Sequence, residues 1–289
     1  MKPPTLAVTG STGHIGGLVA GHLAAAGVAQ RLLARNPEWT PELADAVAVP
    51  CNYENTEESR AALAGVDLLF MVSGAENADR LNQHRGFIDA AVAVGVGHIV
   101  YLSFFGAASD ATFTLARDHW ATEQYLRASG LGFTFLRDNL YTDFFPSMVG
   151  EDGVIRGPAG AGRVACVTRA DVARVAATVL HDPAEHIGNT YDLTGLEALT
   201  LAEIARTISE VTGRSVTYHD ETIAEAYESR LAWEAPQWQY DAWVSTYTAI
   251  AAGELIPVSD AVRRITGRPA ESLSDFLRNL RQTPSSGSR

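Results

Sequence analysis

"AVTGSTGHIGGLVAGHLAAAG" (residues 7–27) is the stretch on which the fold turns. An apolar run ends at Thr9, glycines follow at 10, 13 and 16, and Ile15, Val19 and Leu23 then recur every fourth residue, as on one face of a helix. A pyrophosphate seated at the start of a helix needs backbone N–H groups aimed at it and no Cβ in the way. In that reading Gly10 permits the tight turn, Gly13 lets the phosphate approach, and Gly16 lets the helix pack on the strand. The same glycines would also suit a turn that binds nothing, so the surrounding sequence has to choose.

Working outward, strand-length apolar runs at 6–9, 30–34, 46–50, 67–72, 98–103 and 132–137 alternate with helical-length segments such as 84–96 and 118–132. That alternation predicts βαβ units, an α/β fold with a doubly wound, Rossmann-type parallel sheet. The second run, "QRLLAR", ends about twenty residues past the loop, where such folds meet the adenosine ribose. Neither Asp nor Glu stands there; Arg35 does, and a guanidinium matches a 2′-phosphate. NADP(H) is therefore expected in preference to NAD(H), the alternative being a solvated arginine at a strand end.

The formal net charge is −12 and the basic residues form no run, which argues against a nucleic-acid partner. No apolar stretch reaches membrane-spanning length, and "MKPPTLAVTG" moves straight into a strand. No membrane association is expected, and the cytoplasm is the expected compartment. Cys51 and Cys166 lie far apart without metal-ligand spacing, so neither a disulfide framework nor a metal site is expected.

After Arg137 the pattern changes. Residues 138–163 are aromatic, glycine-rich and irregular around one expected strand, and read as a substrate-facing excursion. "TRADVARVAATVL" (168–180) returns as a helix with Asp171 placed to accept backbone N–H groups near its start, and "TYDLTG" (190–195) adds a strand. Helices then dominate, with one strand candidate at "SVTYHD" (215–220). Trp233, Trp238, Trp243 and Tyr247 suit either a ligand pocket or a packed core, and their helical spacing favours core. The expected organisation is an NADP-binding domain at 1–137, rejoined by 164–195, a smaller, mostly helical substrate lobe at 138–163 and 196–283, and a flexible tail at 284–289.

The glycine loop with Thr9 before it resembles the short-chain dehydrogenase/reductase superfamily. Leu115 and His119 stand where most members carry the Tyr and Lys of a YxxxK pair, so the usual proton relay is missing. "TGSTGHIGG", "ARNPE", "NYENTEESRAALAGVDLLFMVSG", "QHRGFIDAAVAVGVGHIVYLS", "LARDHWATEQYLRASGLGFTFLRDNLYTDF" and "GRVACVTRADVARVAATVL" are instead similar to the NmrA-like atypical branch. Within that branch the chain resembles the type-2 NAD(P)H:quinone oxidoreductases and triphenylmethane reductases. The resemblance implies cofactor contacts at Gly10, Ser11, Thr12, Gly13, His14 and Ile15, at Arg35, at Ser73, Gly74 and Ala75, and at Asp138, Asn139, Leu140 and Tyr141. The chain departs from the branch at Asn52, where an acidic residue is common, and at Asn139, where relatives often have glycine.

The function expected is an NADPH-dependent reductase that passes hydride to a quinone or similar aromatic acceptor. Phe104, Phe105, Tyr141, Phe144 and Phe145 are the expected acceptor pocket, with a packed core between lobes as the competing reading. His119 and Tyr141 are the catalytic candidates, His119 either carrying a proton or shaping the site as a hydrogen-bonded helix residue. Two other functions stay open: a non-catalytic NADP(H) sensor, and a reductase or isomerase devoted to one biosynthetic metabolite. A small molecule is the expected partner; a homodimer is compatible with the sequence, although no dimer face is legible in it.

Overall fold

The computed structural model describes residues 3–282. The expected tail at 284–289 lies outside them. The strands are β1 (Leu6–Thr9), β2 (Gln30–Ala34), β3 (Ala46–Pro50), β4 (Leu68–Met71), β5 (His98–Phe104), β6 (Gly132–Asp138), β7 (Val154–Gly157), β8 (Arg163–Val164), β9 (Thr190–Leu193), β10 (Leu199–Thr200) and β11 (Thr217–Asp220). The helices are α1 (His14–Ala25), α2 (Glu57–Leu63), α3 (Arg80–Ala93), α4 (Thr114–Ala128), α5 (Phe145–Met148), α6 (Arg169–His181), α7 (Leu201–Thr212), α8 (Ile223–Arg230), α9 (Gln237–Ala251), α10 (Ala261–Thr266) and α11 (Leu273–Gln282).

Seven strands form one sheet in the order β3-β2-β1-β4-β5-β6-β9, every pair parallel. This is the expected doubly wound Rossmann-type architecture. Side chains alternate between two covered faces. Leu6, Val8 and Phe70 join Val19 and Leu23 of α1 and Val172 and Val175 of α6 in one core. Ala7, Leu69 and Met71 join Leu63, Phe87, Ile88 and Leu126 of α2, α3 and α4 in another. Burial on both faces is why the strands read as continuous apolar runs.

The order reverses between β1 and β4, which opens a crevice at the carboxyl ends of those strands. Gly10 sits there with φ +64°, the left-handed region that favours glycine. Gly16 is needed for a different reason: a Cβ built on it would lie 2.3 Å from the Gly10 carbonyl oxygen and 2.6 Å from that of Thr9. The first helix thus rests directly on the backbone of the loop that precedes it.

The segment after β6 holds two strands where one was expected, because their partners lie far along the chain. β7 pairs in parallel with β11, and β8 pairs antiparallel with β10. A third core, with Ile155, Val164, Ile204, Ile208 and Ile250, closes this smaller, mostly helical lobe. Two expectations change here. Thr168, not Asp171, caps α6 by accepting the Asp171 N–H at 3.1 Å, while the Asp171 carboxylate accepts the Glu271 N–H at 2.7 Å and ties α6 to the segment before α11. Trp233, Trp238 and Trp243 are not buried core, whereas Tyr247 packs half-buried against the second lobe's core; Trp243 makes edge contacts with Trp233 and Tyr240, and Trp233 is 60% exposed. Helical spacing marks one face, and here that face is only partly covered.

Among the described residues no helix is long and apolar enough to cross a membrane. Gly16→Ala is expected to destabilise the protein by about 3 kcal/mol through overpacking; an unchanged thermal midpoint would mean that α1 slides away freely.

Candidate active site

The site follows the carboxyl edge of the sheet. At its near end Gly13 caps α1 without any side-chain hydrogen bond, and no acidic residue occupies the first turn of that helix. Its free N–H groups and dipole favour an anion. Ser11 is buried and its Oγ has no hydrogen-bond partner among the described residues. A buried hydroxyl left unpaired is unfavourable unless something supplies the bond. A cleft of about 370 Å³ opens beside this loop, and Gly10, Thr12, Arg35, Ser73, Gly74 and Ala75 all line it. Arg35 is exposed and makes no ion pair among the described residues. Glycine cradle, orphaned hydroxyl and free guanidinium together fit a phosphorylated dinucleotide.

Other expected contacts differ in kind. His14 is exposed at the start of α1, whereas the Ile15 side chain belongs to the core, so only its backbone can face a ligand. Asn52 lines the cleft and accepts a hydrogen bond from Ser59 Oγ at 2.9 Å. Asn139 is buried, donating to the Leu255 carbonyl at 3.1 Å and accepting the Leu140 N–H at 2.8 Å. Its side chain ties β6 to the second lobe. Leu140 packs at the margin of that lobe's core.

The expected acceptor residues divide. Phe105 and Phe145 are core residues, 5% and 3% exposed. Phe104 and Tyr141 are half-buried and Phe144 is 46% exposed. Tyr141 and Phe144 lie 5.8 Å apart, and the Arg169 guanidinium covers both, 5.1 and 4.6 Å from their centroids.

Behind the cleft, buried Arg80 and His84, which the sequence reading did not single out, join His119 in one polar network. Arg80, 4% exposed, donates from Nε to the Gly74 carbonyl at 3.0 Å and from Nη2 to His119 Nε2 at 3.0 Å, while its Nη1 has no partner among the described residues. A guanidinium only donates, so the His119 proton is on Nδ1, which donates to Tyr101 Oη at 3.0 Å. His84 Nε2 accepts the Gly74 N–H at 2.8 Å, so Nδ1 donates to Thr122 Oγ1 at 2.9 Å. Loop 73–75 is thereby tied to α3, and α3 to α4 and β5. Arg80 and His84 are four apart, on one face of α3; that spacing was the available signal.

Burial and the neighbouring Arg80 charge hold His84 down at about 3, and the same causes hold His119 well below the usual imidazole range. Burial raises Asp138 to about 7, opposed by the hydrogen bond from Tyr141 and by Arg80.

Against this geometry, residues 10–183 match the model of a family described as NAD(P)H-binding. The chain belongs to that NAD(P)H-binding family. The protein is an NAD(P)H-dependent oxidoreductase. It is 32% identical to quinone oxidoreductase 2 of Escherichia coli over 283 residues, 95% of this chain and 98% of that protein. The crystal structure of an NADPH-dependent quinone oxidoreductase from Escherichia coli with NADPH superposes with a TM-score of 0.88 at 31% identity, over 96% of this chain and 100% of that one. Citrobacter sp. triphenylmethane reductase with NADP(H) gives a TM-score of 0.85 at 33% identity, over 95% of this chain and 99% of that one.

The depressed histidines give a sign to acid stability. Below about pH 6.5 the unfolded chain binds protons at His84 and His119 that the folded protein refuses. Stability is expected to be full above that pH and to fall as pH decreases toward about 3, the folded value for His84, as denaturant melts across pH would show.

Proposed function

We propose that the protein transfers hydride from NADPH to a quinone or a similarly planar aromatic acceptor. The observation that carries this reading is one sheet edge bearing the glycine cradle with its orphaned Ser11 hydroxyl, the exposed Arg35, the half-buried rings of Phe104 and Tyr141 and the exposed ring of Phe144. The names of the quinone oxidoreductase and the triphenylmethane reductase likewise point to acceptors built of unsaturated six-membered rings.

In this reading the backbone of residues 10–15 holds the pyrophosphate and Arg35 pairs with the 2′-phosphate, favouring NADP(H) over NAD(H). Residues 73–75 and 138–141 border the nicotinamide half. When bound, the reduced nicotinamide supplies the hydride. The protein's task is to align donor and acceptor and to stabilise negative charge on the acceptor oxygen. Phe104, Tyr141 and Phe144 offer faces on which a planar ring stacks. The buried Arg80 lends fixed positive charge to the same edge. His119, with both ring nitrogens committed, acts as a positioning residue that fixes Arg80 and Tyr101.

Sustained NADPH oxidation with 1,4-benzoquinone is the expected outcome; tight NADPH binding with no turnover across a panel of quinones would identify a cofactor sensor instead. Arg35→Ala is expected to weaken NADPH binding about tenfold or more while leaving NADH nearly unchanged. Equal losses for the two cofactors in calorimetric titrations would remove Arg35 from the 2′-phosphate site.

A further inference from the structure

The chain lacks the Tyr and Lys of the superfamily on α4, yet it assembles a tyrosine, a cation and a carboxyl group elsewhere on the same edge. Asp138 closes β6 and is 4% exposed; its backbone carbonyl accepts the Phe105 N–H at 2.9 Å. Three residues on, Tyr141 hydrogen-bonds from Oη to Asp138 Oδ2. The Arg169 guanidinium at the start of α6 lies over the Tyr141 ring, 5.1 Å from its centroid, and makes no ion pair among the described residues. The Arg169 backbone N–H is held by the Asp143 carboxylate at 2.9 Å, which fixes the root of that side chain.

We propose that Asp138 and Tyr141, with Arg169 on the tyrosine ring, are the proton relay of this site. The inference rests on the reductase reading above. The charged groups facing the pair are Arg80 from α3, Arg169 from α6 and Asp143 from the turn after Tyr141. Arg80 opposes the protonation that burial of Asp138 favours, and Asp138 still settles near neutrality, at about 7. For Tyr141, burial and the adjoining Asp138 favour the neutral phenol; Arg169 opposes them and Asp143 reinforces them.

The step balances as follows. With Asp138 protonated, its O–H donates to Tyr141 Oη and the phenolic proton is free to face the acceptor. When hydride reaches a quinone, two electrons arrive with it and an acceptor oxygen becomes anionic. The Tyr141 O–H bond breaks, its proton forms the hydroquinone O–H bond, and the Asp138 proton passes to the Tyr141 oxygen. Asp138 is left as a carboxylate that accepts the restored Tyr141 hydroxyl, and it takes one proton from water before the next turnover. Arg169 steadies the negative charge that builds on the phenolic oxygen in transit, the service a lysine gives the tyrosine in the usual pair.

Two measurements test the relay. In cofactor-free protein labelled with ¹³C at the aspartate carboxyl carbons, one signal is expected to titrate near pH 7, and Asp138→Asn is expected to remove it. In turnover of 1,4-benzoquinone with NADPH, kcat is expected to fall as pH rises through about 7. Asp138→Asn is expected to lower kcat about 10²-fold and abolish that pH dependence, and Tyr141→Phe to give a similar loss. A cooperative thermal transition and a far-UV circular dichroism spectrum like those of the native protein would show that both variants are still folded.

Absence of a carboxyl titrating near neutrality overturns the relay. So does an Asp138→Asn protein that keeps both its rate and its pH dependence while the native protein turns over. A native protein that oxidises no NADPH with any quinone overturns the reductase reading itself, and the relay with it.

Discussion

The site depends on how closely α1 approaches the strand before it. At Gly16 there is no room for even one methyl group, since its Cβ would sit 2.3 Å from a loop carbonyl. That contact lets α1 start directly above the crevice beside β1, with its uncapped amino end facing the loop. A longer helix–strand separation would leave the same glycines in sequence and no cradle in space. The rest of the edge is built outward from this point: the ends of β2 and β4 flank the loop, and β5 and β6 carry the aromatic rings beyond it.

The second organising feature is polar and buried. Tyr53 Oη reaches Thr9 Oγ1 at 2.7 Å and also hydrogen-bonds the Val72 carbonyl, so one hydroxyl joins three segments behind the cleft. Further along, Arg80 and His84 hold both backbone groups of Gly74. Partial satisfaction of such a network is unfavourable, so its geometry is tightly specified. Loop 73–75 is therefore anchored by side chains from α3 and is not free to reshape itself.

Most of the sheet was legible because strand burial on two faces gives apolar runs that need no long-range information. β1, β2 and β3 match their predicted bounds, and β5 and β6 each run one residue further. The NAD(P)H-binding family was legible for a related reason, since glycine requirements are local. The second lobe was harder to read because β7 and β8 exist only through partners more than thirty residues away, β11 and β10. Among the aromatics, composition could not separate Phe105 and Phe145, which fill a core, from Phe144, which faces out. Nor could it show that Arg80 reaches His119 across 39 positions of chain. Side chains of this kind are fixed by where helices pack, and their partners leave no periodic trace.

The Arg80–His119 contact also limits which side chain position 119 can hold. By its resemblance to the short-chain dehydrogenases, the chain would carry a lysine in place of His119. Through His119→Lys an ammonium would enter a buried position now 3.0 Å from a guanidinium nitrogen, so like charges would meet in a low-dielectric interior. Restoring tyrosine at Leu115 would do nothing to relieve that repulsion. Arg80 would have to change first, and its loss would release the Gly74 carbonyl. A lysine at position 119 and the present Arg80 network are thus alternative occupants of one buried space, and the Gly74 loop is held only by the second.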